Sequence, residues 1–370
     1  MDGLIDSGEQ RRQRRTRPPA DSRSRNDVGH IPQSHHDAVA PTPQIFEQEY
    51  AFVQIGLINN LRAGRSNKQV FRVLNLLRSY PDVCHVETDC AGALPDAIAD
   101  LARRKIDLLI VNGGDGTLQH TLTEILANDV FDRTPMIAPL RGGRTNMTAL
   151  DLGAHRDPVK GLRAVLDAAG TGTLHERFEH RPVLRVASDG GSQTSYGMFF
   201  GVGMIHRAIT LTHQLFPKGR SQGSFGAGLV TAGLVAKAAM GSARGVLAPD
   251  KLQILLDGEL VNGGEYLLAI STSLKRLFWG IRPFWGTEDS PVRFTTIANK
   301  AERYGAAVPG ILRGRVKPWV TPEAGYTSRN VECAELRLDS GFTVDGETFG
   351  PRPDEVVSIT ADHRVTFIRA

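Results

Sequence analysis

A largely apolar stretch, Ile106–Val111 (IDLLIV), runs into Gly113-Gly114-Asp115-Gly116-Thr117, and a helical pattern follows over Leu118–Leu126. Parallel α/β sheets bind ligands beyond the carboxyl ends of their strands. Glycines at such a position let the backbone approach a polyphosphate, and the next helix offers free N–H groups and the positive end of its dipole. The chemistry indicated is phosphate binding. Thr117 would cap the helix or touch phosphate. Asp115, a lone carboxylate on a loop expected to face solvent, would meet Mg²⁺ or polarise an acceptor hydroxyl. The spacing is neither GxxxxGK[ST] nor GxGxxG.

A second acid stands near the C-terminus, where Phe342–Phe349 (FTVDGETF) reads as two strands joined by a tight turn. Glu347 on that turn sits on a rigid support, as a catalytic carboxylate requires. The alternative is a surface hairpin whose Asp345-Gly346 pair only makes the turn. Asp257-Gly258-Glu259 repeats the tripeptide, so DGE by itself is weak. Leu277–Trp285 sets Phe278, Trp279, Phe284 and Trp285 beside Lys275, Arg276 and Arg282. These aromatics suit an acyl-chain mouth, a membrane-interface edge or ordinary core packing.

The elements that must position these groups fall into two styles. Ala51–Asn59 reads as a buried strand. Asn67–Tyr80 carries Val70, Val73, Leu74 and Leu77 at helical spacing, with Pro81 after it. Val83–Thr88 (strand), Leu94–Lys105 (helix), Pro135–Leu140 (strand) and Asn146–Leu152 (helix) continue the alternation. An α/β domain with a mostly parallel sheet over residues 50–172 is the expectation. Beyond Gly170–Thr173 come strands at Val183–Ala187, Gln193–Gly201, Lys251–Leu256, Tyr266–Thr272, Val292–Ile297, Val331–Leu338, Phe342–Val344 and Val356–Ile368. Residues 173–370 are therefore read as a β-rich sandwich with a helical insertion near 208–240. Phe225–Met240 within it would line a lipid pocket or pack as a helix.

Composition bounds the rest. The 370 residues suffice for two domains, and 41% hydrophobic with 23% charged is globular. A net charge of +4 favours anionic partners without choosing among them. Cys84, Cys90 and Cys333 form no CxxC pair, so reduced thiols are expected. Residues 1–44 hold an arginine run (Arg11, Arg12, Arg14, Arg15, Arg17) without apolar period and are expected to be a disordered arm. No nucleic-acid recognition motif accompanies it, and no nucleic acid is expected as partner. No apolar run reaches the roughly 20 residues that cross a bilayer.

GGDGT after a hydrophobic strand resembles the catalytic domain of the diacylglycerol kinase family, shared with sphingosine and ceramide kinases and bacterial lipid kinases; related forms occur in NAD kinases. Asn60-Leu61-Arg62-Ala63-Gly64-Arg65 is similar to that family's NPxSGxx loop, with Leu61 and Ala63 in the proline and serine places. Pro139–Ala149 is similar to its PxGTxNDxAR segment: Gly143 and Asn146 match, while Arg144 and Met147 replace threonine and aspartate. Thr88 sits where the family often has a nucleotide-contacting threonine, and His120 where many members have glutamate. The late DGE resembles the turn whose glutamate is taken as general base. The resemblance implies an ATP- and Mg²⁺-dependent lipid kinase. ATP would be held by Asn60, Gly64, Thr88, Gly113, Gly114, Asp115, Gly116, Thr117, Gly142, Gly143, Arg144, Thr145 and Asn146. Glu347 and Asp115 would be catalytic, with Asp115 also a metal ligand. A cytoplasmic protein docking peripherally on membranes, with a dimer as its oligomeric state, goes with that reading. An NAD kinase-like enzyme and a non-catalytic nucleotide or lipid sensor are the alternatives.

Overall fold

The structure, a computed structural model, describes residues 53–63, 67–215, 245–261 and 264–370. The arginine-rich arm, Gly64 and Phe225–Met240 lie outside the described residues. The first half runs β1 (Ile55–Asn60), α1 (Asn67–Leu77), β2 (Cys84–Thr88), α2 (Leu94–Arg103), β3 (Leu108–Gly113), α3 (Asp115–Ala127), β4 (Met136–Arg141), α4 (Met147–Asp151) and α5 (Pro158–Gly170). The strands pair in the order β4-β3-β1-β2, all parallel. Successive residues of a strand face opposite sides, and the sequence uses both. Leu57, Leu108 and Ile110 enter a core with α1 and α5, whereas Ile58, Leu109 and Val111 enter one with α2 and α3. Each such fully buried side chain contributes about 1.5–3 kcal/mol. Parallel pairing brings the carboxyl ends of β1, β3 and β4 to one rim.

The second half runs β5 (Phe178–Ser188), β6 (Gln193–Gly197), β7 (Phe199–Gly203), α6 (Met204–Leu215), β8 (Asp250–Leu256), β9 (Glu259–Leu260), β10 (Glu265–Thr272), β11 (Val292–Ala298), α7 (Tyr304–Ile311), β12 (Tyr326–Val331), β13 (Ala334–Leu338), β14 (Phe342–Val344), β15 (Glu347–Phe349) and β16 (Glu355–Ile368). Two antiparallel layers, β6-β5-β16-β13-β8-β9 and β15-β14-β7-β10-β11-β12, share a core that includes Leu184, Phe200, Ile254, Phe294, Leu336, Val344 and Ile359. They meet where β10 pairs β8 at Tyr266–Asp250. The last strand returns to the first half, with Phe367 beside Ile137 of β4.

The α/β half followed by a β-rich half is as expected, and several local expectations are corrected. The helix after the glycine loop starts at Asp115, not Leu118. Gln193–Gly201 is two strands, because the N–H of Met198 donates to the Asp345 carboxylate at 2.7 Å instead of continuing a ladder. Val331–Leu338 also breaks, since the N–H groups of Glu332 and Cys333 both donate to Asp257. Helix α5 was not anticipated; Asp157 caps it by accepting from the Val159 N–H at 3.0 Å. No helix among the described residues is long and apolar enough to cross a membrane.

Candidate active site

The site is assembled at the rim where β1, β3 and β4 end. Asn59 and Asn112, neighbours across β1 and β3, are both buried and joined by an Asn112 Nδ2 to Asn59 Oδ1 hydrogen bond of 2.7 Å. Above them Gly114 is extended and α3 begins directly, without a side-chain cap. Thr117 therefore lies inside the helix rather than capping it. Its hydroxyl accepts from Asn60 Nδ2 at 2.8 Å, which ties the first loop to the phosphate loop. Thr88 is buried beside Asn60, and its carbonyl accepts the Leu61 N–H at 2.8 Å. These contacts fix the loop before any ligand arrives.

The loop after β4 closes over the phosphate loop. A Cβ on Gly143 would overlap the Gly114 backbone, so only glycine permits the two loops to approach this closely. Asn146, left-handed at φ 51°, accepts the Gly143 N–H at 2.6 Å and donates to the Gly143 carbonyl at 2.8 Å. Both ends of its side chain thus hold its own turn. Thr145 is half-buried and Arg144 exposed.

Asp115 is not the solvent-facing loop residue expected. The residue as a whole is half-exposed, but its carboxylate is enclosed and accepts the Thr148 N–H of α4 at 3.2 Å. Burial pushes this carboxyl above its ordinary value, and N–H groups of Met147, Thr148 and Asn146 pull it partly back. At the far end of α4 the buried Asp151 accepts the N–H groups of Lys275 and Arg276, at 3.3 and 3.0 Å. The short helix α4 thereby links the phosphate loop to the aromatic segment that begins at Leu277.

The second-half DGE turn reaches the same place. Asp345 and Gly346 are left-handed, at φ 48° and 92°. Asp345 is buried, with Oδ2 on the Met198 N–H and Oδ1 without a partner. Burial pushes its carboxyl well above the usual range, and the nearby Asp115 charge adds to the shift. The Glu347 side chain lies over Gly116, where a Cβ would overlap Oε1, and its Oε2 is 3.9 Å from His120 Nε2. Of the two candidate turns this one joins the phosphate loop. His120 faces Glu347.

A cavity of about 290 Å³ opens beside these acids. Asp115, Arg141, Thr145, Asp345, Gly346, Thr212 and His213 supply its polar lining, and Met147, Leu150, Phe199, Ile209, Phe278 and Trp279 are among its apolar walls. Within the aromatic segment Phe278 and the exposed Trp279 line the cavity, and Phe278, Phe284 and Trp285 pack on the core. A larger groove of about 580 Å³ near Lys251, Arg337 and Asp354 contains no residue of the loops, and Arg337 is paired with Asp354 at 3.2 Å. The smaller cavity is the one beside reactive groups.

No cluster of three or more metal-ligating side chains occurs among the described residues. Mg²⁺ keeps several waters and needs only one or two carboxylates beside phosphate oxygens. The orphan Oδ1 of Asp345, buried near a like charge, fits such a cation; Asp115 fits less well, since its Oδ1 already holds α4. Asp345, Arg141, Asn59 and Asn112 were missed in the sequence. For Asn59, Asn112 and Arg141 the available signal was a polar residue ending each apolar parallel strand.

Residues 54–173 match the family model of the diacylglycerol kinase catalytic domain. A crystal structure described as a diacylglycerol kinase from Bacillus anthracis str. Sterne superposes with a TM-score of 0.55 at 18% identity, covering 86% of this chain and 97% of that one. A provisionally assigned diacylglycerol kinase of the same organism gives 0.59 at 16% identity, over 86% and 97%. At these identities the likeness is one of fold. No curated protein sequence matches the chain.

Proposed function

We propose that this chain, which carries a diacylglycerol kinase catalytic domain over residues 54–173, transfers the γ-phosphoryl group of ATP to the hydroxyl of a lipid. The family is one of kinases; ATP, Mg²⁺ and a lipid acceptor are the finer reading. The observation that carries it is the seat of Glu347 over Gly116, on the turn whose Asp345 and Gly346 line a largely apolar cavity shared with Asp115 of the phosphate loop.

The triphosphate would lie along Gly113–Thr117 and the Gly142–Asn146 loop, against the N-terminus of α3. The acceptor hydroxyl would enter the cavity and Glu347 would take its proton as the oxygen attacks phosphorus. The apolar walls would receive the upper chain of the lipid, with Trp279 at the membrane side. Mg²⁺, held by Asp345 with Asp115 close by, would neutralise phosphate charge. Asn59, Asn112 and Asn60 would keep the loop in place throughout.

The test is transfer from γ-³²P-labelled ATP to a mixed lipid extract, to NAD and to buffer alone. Label in an organic-phase product is expected. Label on NAD supports an NAD kinase instead, and nucleotide binding without any labelled product supports the non-catalytic sensor.

A further inference from the structure

We propose that Arg141 is a catalytic residue that binds the phosphoryl group while it is being transferred. The inference rests on the phosphoryl-transfer reading and adds a residue that no motif points to.

Arg141 is the last residue of β4, and its backbone lies in register with Gly113 at the start of the phosphate loop. The next residue, Gly142, is buried against Asn112 and the Gly113 N–H, with no room for a Cβ. The root of the arginine is therefore fixed at the end of the sheet. Its half-buried side chain lines the cavity together with Asp115, Asp345 and Gly346. It makes no ion pair or hydrogen bond with either acid or with any other described residue, and the acids have partners of their own in Thr148 and Met198.

A half-buried guanidinium is always charged, and leaving it unpaired costs stability. An anion that arrives with the ligand removes that cost. The cation inventory agrees. The GGDGT loop contains no lysine or arginine, Arg62 is engaged with Asp89, Arg276 with Asp151, and Arg144 is exposed. Among the described residues, Arg141 is the arginine or lysine that lines the cavity. In transfer, the bond from the β–γ bridging oxygen to γ-phosphorus breaks, the bond from lipid oxygen to phosphorus forms, and the hydroxyl proton passes to Glu347. Charge is then spread over the three equatorial oxygens, and a planar, bidentate donor suits it.

The test uses the full chain with Arg141→Ala, Arg141→Gln and Arg141→Lys. Loss of an arginine acting on the transferring group lowers kcat on the order of 10³-fold, with ATP affinity changed much less. Lysine should restore little of that loss, while added guanidinium should partly rescue the alanine variant. A second readout needs no lipid. ADP with aluminium fluoride, a stand-in for the transferring phosphoryl, should raise the melting temperature of the wild type above ADP alone, and Arg141→Gln should lose that increment while keeping the response to ADP. Turnover within threefold of wild type in Arg141→Ala overturns the proposal. So does an unchanged fluoride increment in Arg141→Gln. Absence of labelled lipid from the wild type alongside an arginine-dependent fluoride increment counts against the lipid reading and leaves Arg141 in its role.

Discussion

Two hairpins of the second half carry the same tripeptide. Asp257 and Gly258 have φ of 51° and 81°, Asp345 and Gly346 48° and 92°. In each, the aspartate accepts backbone N–H groups from another strand connection: Asp257 those of Glu332 and Cys333, Asp345 that of Met198. The glutamates differ. Glu259 points to solvent and pairs with Arg329 at 2.6 Å. Glu347 lies over Gly116, because β14 pairs β7 and carries β15 at the edge of its layer, and α3 packs beside β6, where Thr123 accepts the Tyr196 N–H at 2.9 Å. The local sequence makes a turn of one shape, and the topology decides whether that turn meets a phosphate loop.

The sharpest way to break this comparison is to neutralise both glutamates. Glu347→Gln should lower kcat by about 10²- to 10⁴-fold, the usual effect of losing a general base, with ATP binding nearly unchanged. Equal losses from Glu347→Gln and Glu259→Gln would falsify the distinction between the turns. A loss confined to Glu259→Gln would place the base in the other hairpin. Asp115→Asn should lower kcat about 10²-fold while leaving the far-ultraviolet melting curve intact, since an asparagine Oδ1 still accepts the Thr148 N–H. Near wild-type turnover in that variant would confine Asp115 to holding α4.

Asp345 tests the turn through pH. A carboxyl raised in the native state binds its proton more tightly folded than unfolded. Its ionisation penalty is absent below the unfolded value of about 4, grows as pH rises through the raised native value, and is complete above it. Asp345→Asn should therefore melt higher than wild type at pH 7 in magnesium-free buffer. The gain should vanish as pH falls to about 4. A gain of the same size at both pH values would assign it to something other than ionisation, and a loss at pH 7 would show that the carboxylate is needed to hold Met198.

The legible parts of this molecule are those whose signal is local. β1, β3 and α2 stand close to where periodicity puts them, and GGDGT marks the phosphate loop because glycines and an apolar strand are adjacent in sequence. What was not legible depends on partners far along the chain. The start of α3 at Asp115 is fixed by α4 on the other side of the loop. The break at Met198 exists because Asp345 takes its N–H. The Asn59–Asn112 bond needs the register of β1 against β3, and the position of Arg141 in the cavity needs the second half of the chain. Choosing Glu347 over Glu259 rested on chain order, and the structure supplies the physical reason in Gly116.

The smallest expected effect lies at the silent hairpin. Glu259 is 74% exposed, and its partner Arg329 also stands 3.8 Å from Glu288, so removing one acid leaves the guanidinium a second. Exposed pairs contribute roughly 0.2–1 kcal/mol, because water screens the charges and two long side chains lose freedom. A double-mutant cycle of Glu259→Gln with Arg329→Gln should give a coupling in that range at low salt. It should fall toward zero at 1 M salt, where the Debye length is about 3 Å. Turnover should stay at the wild-type level in all three variants. A salt-independent coupling would mean that the pair is less exposed in solution than its geometry indicates. A fall in turnover that follows the coupling would mean that this hairpin, through β12 and β11, also acts on the cavity, and the two turns would then differ in degree and not in kind.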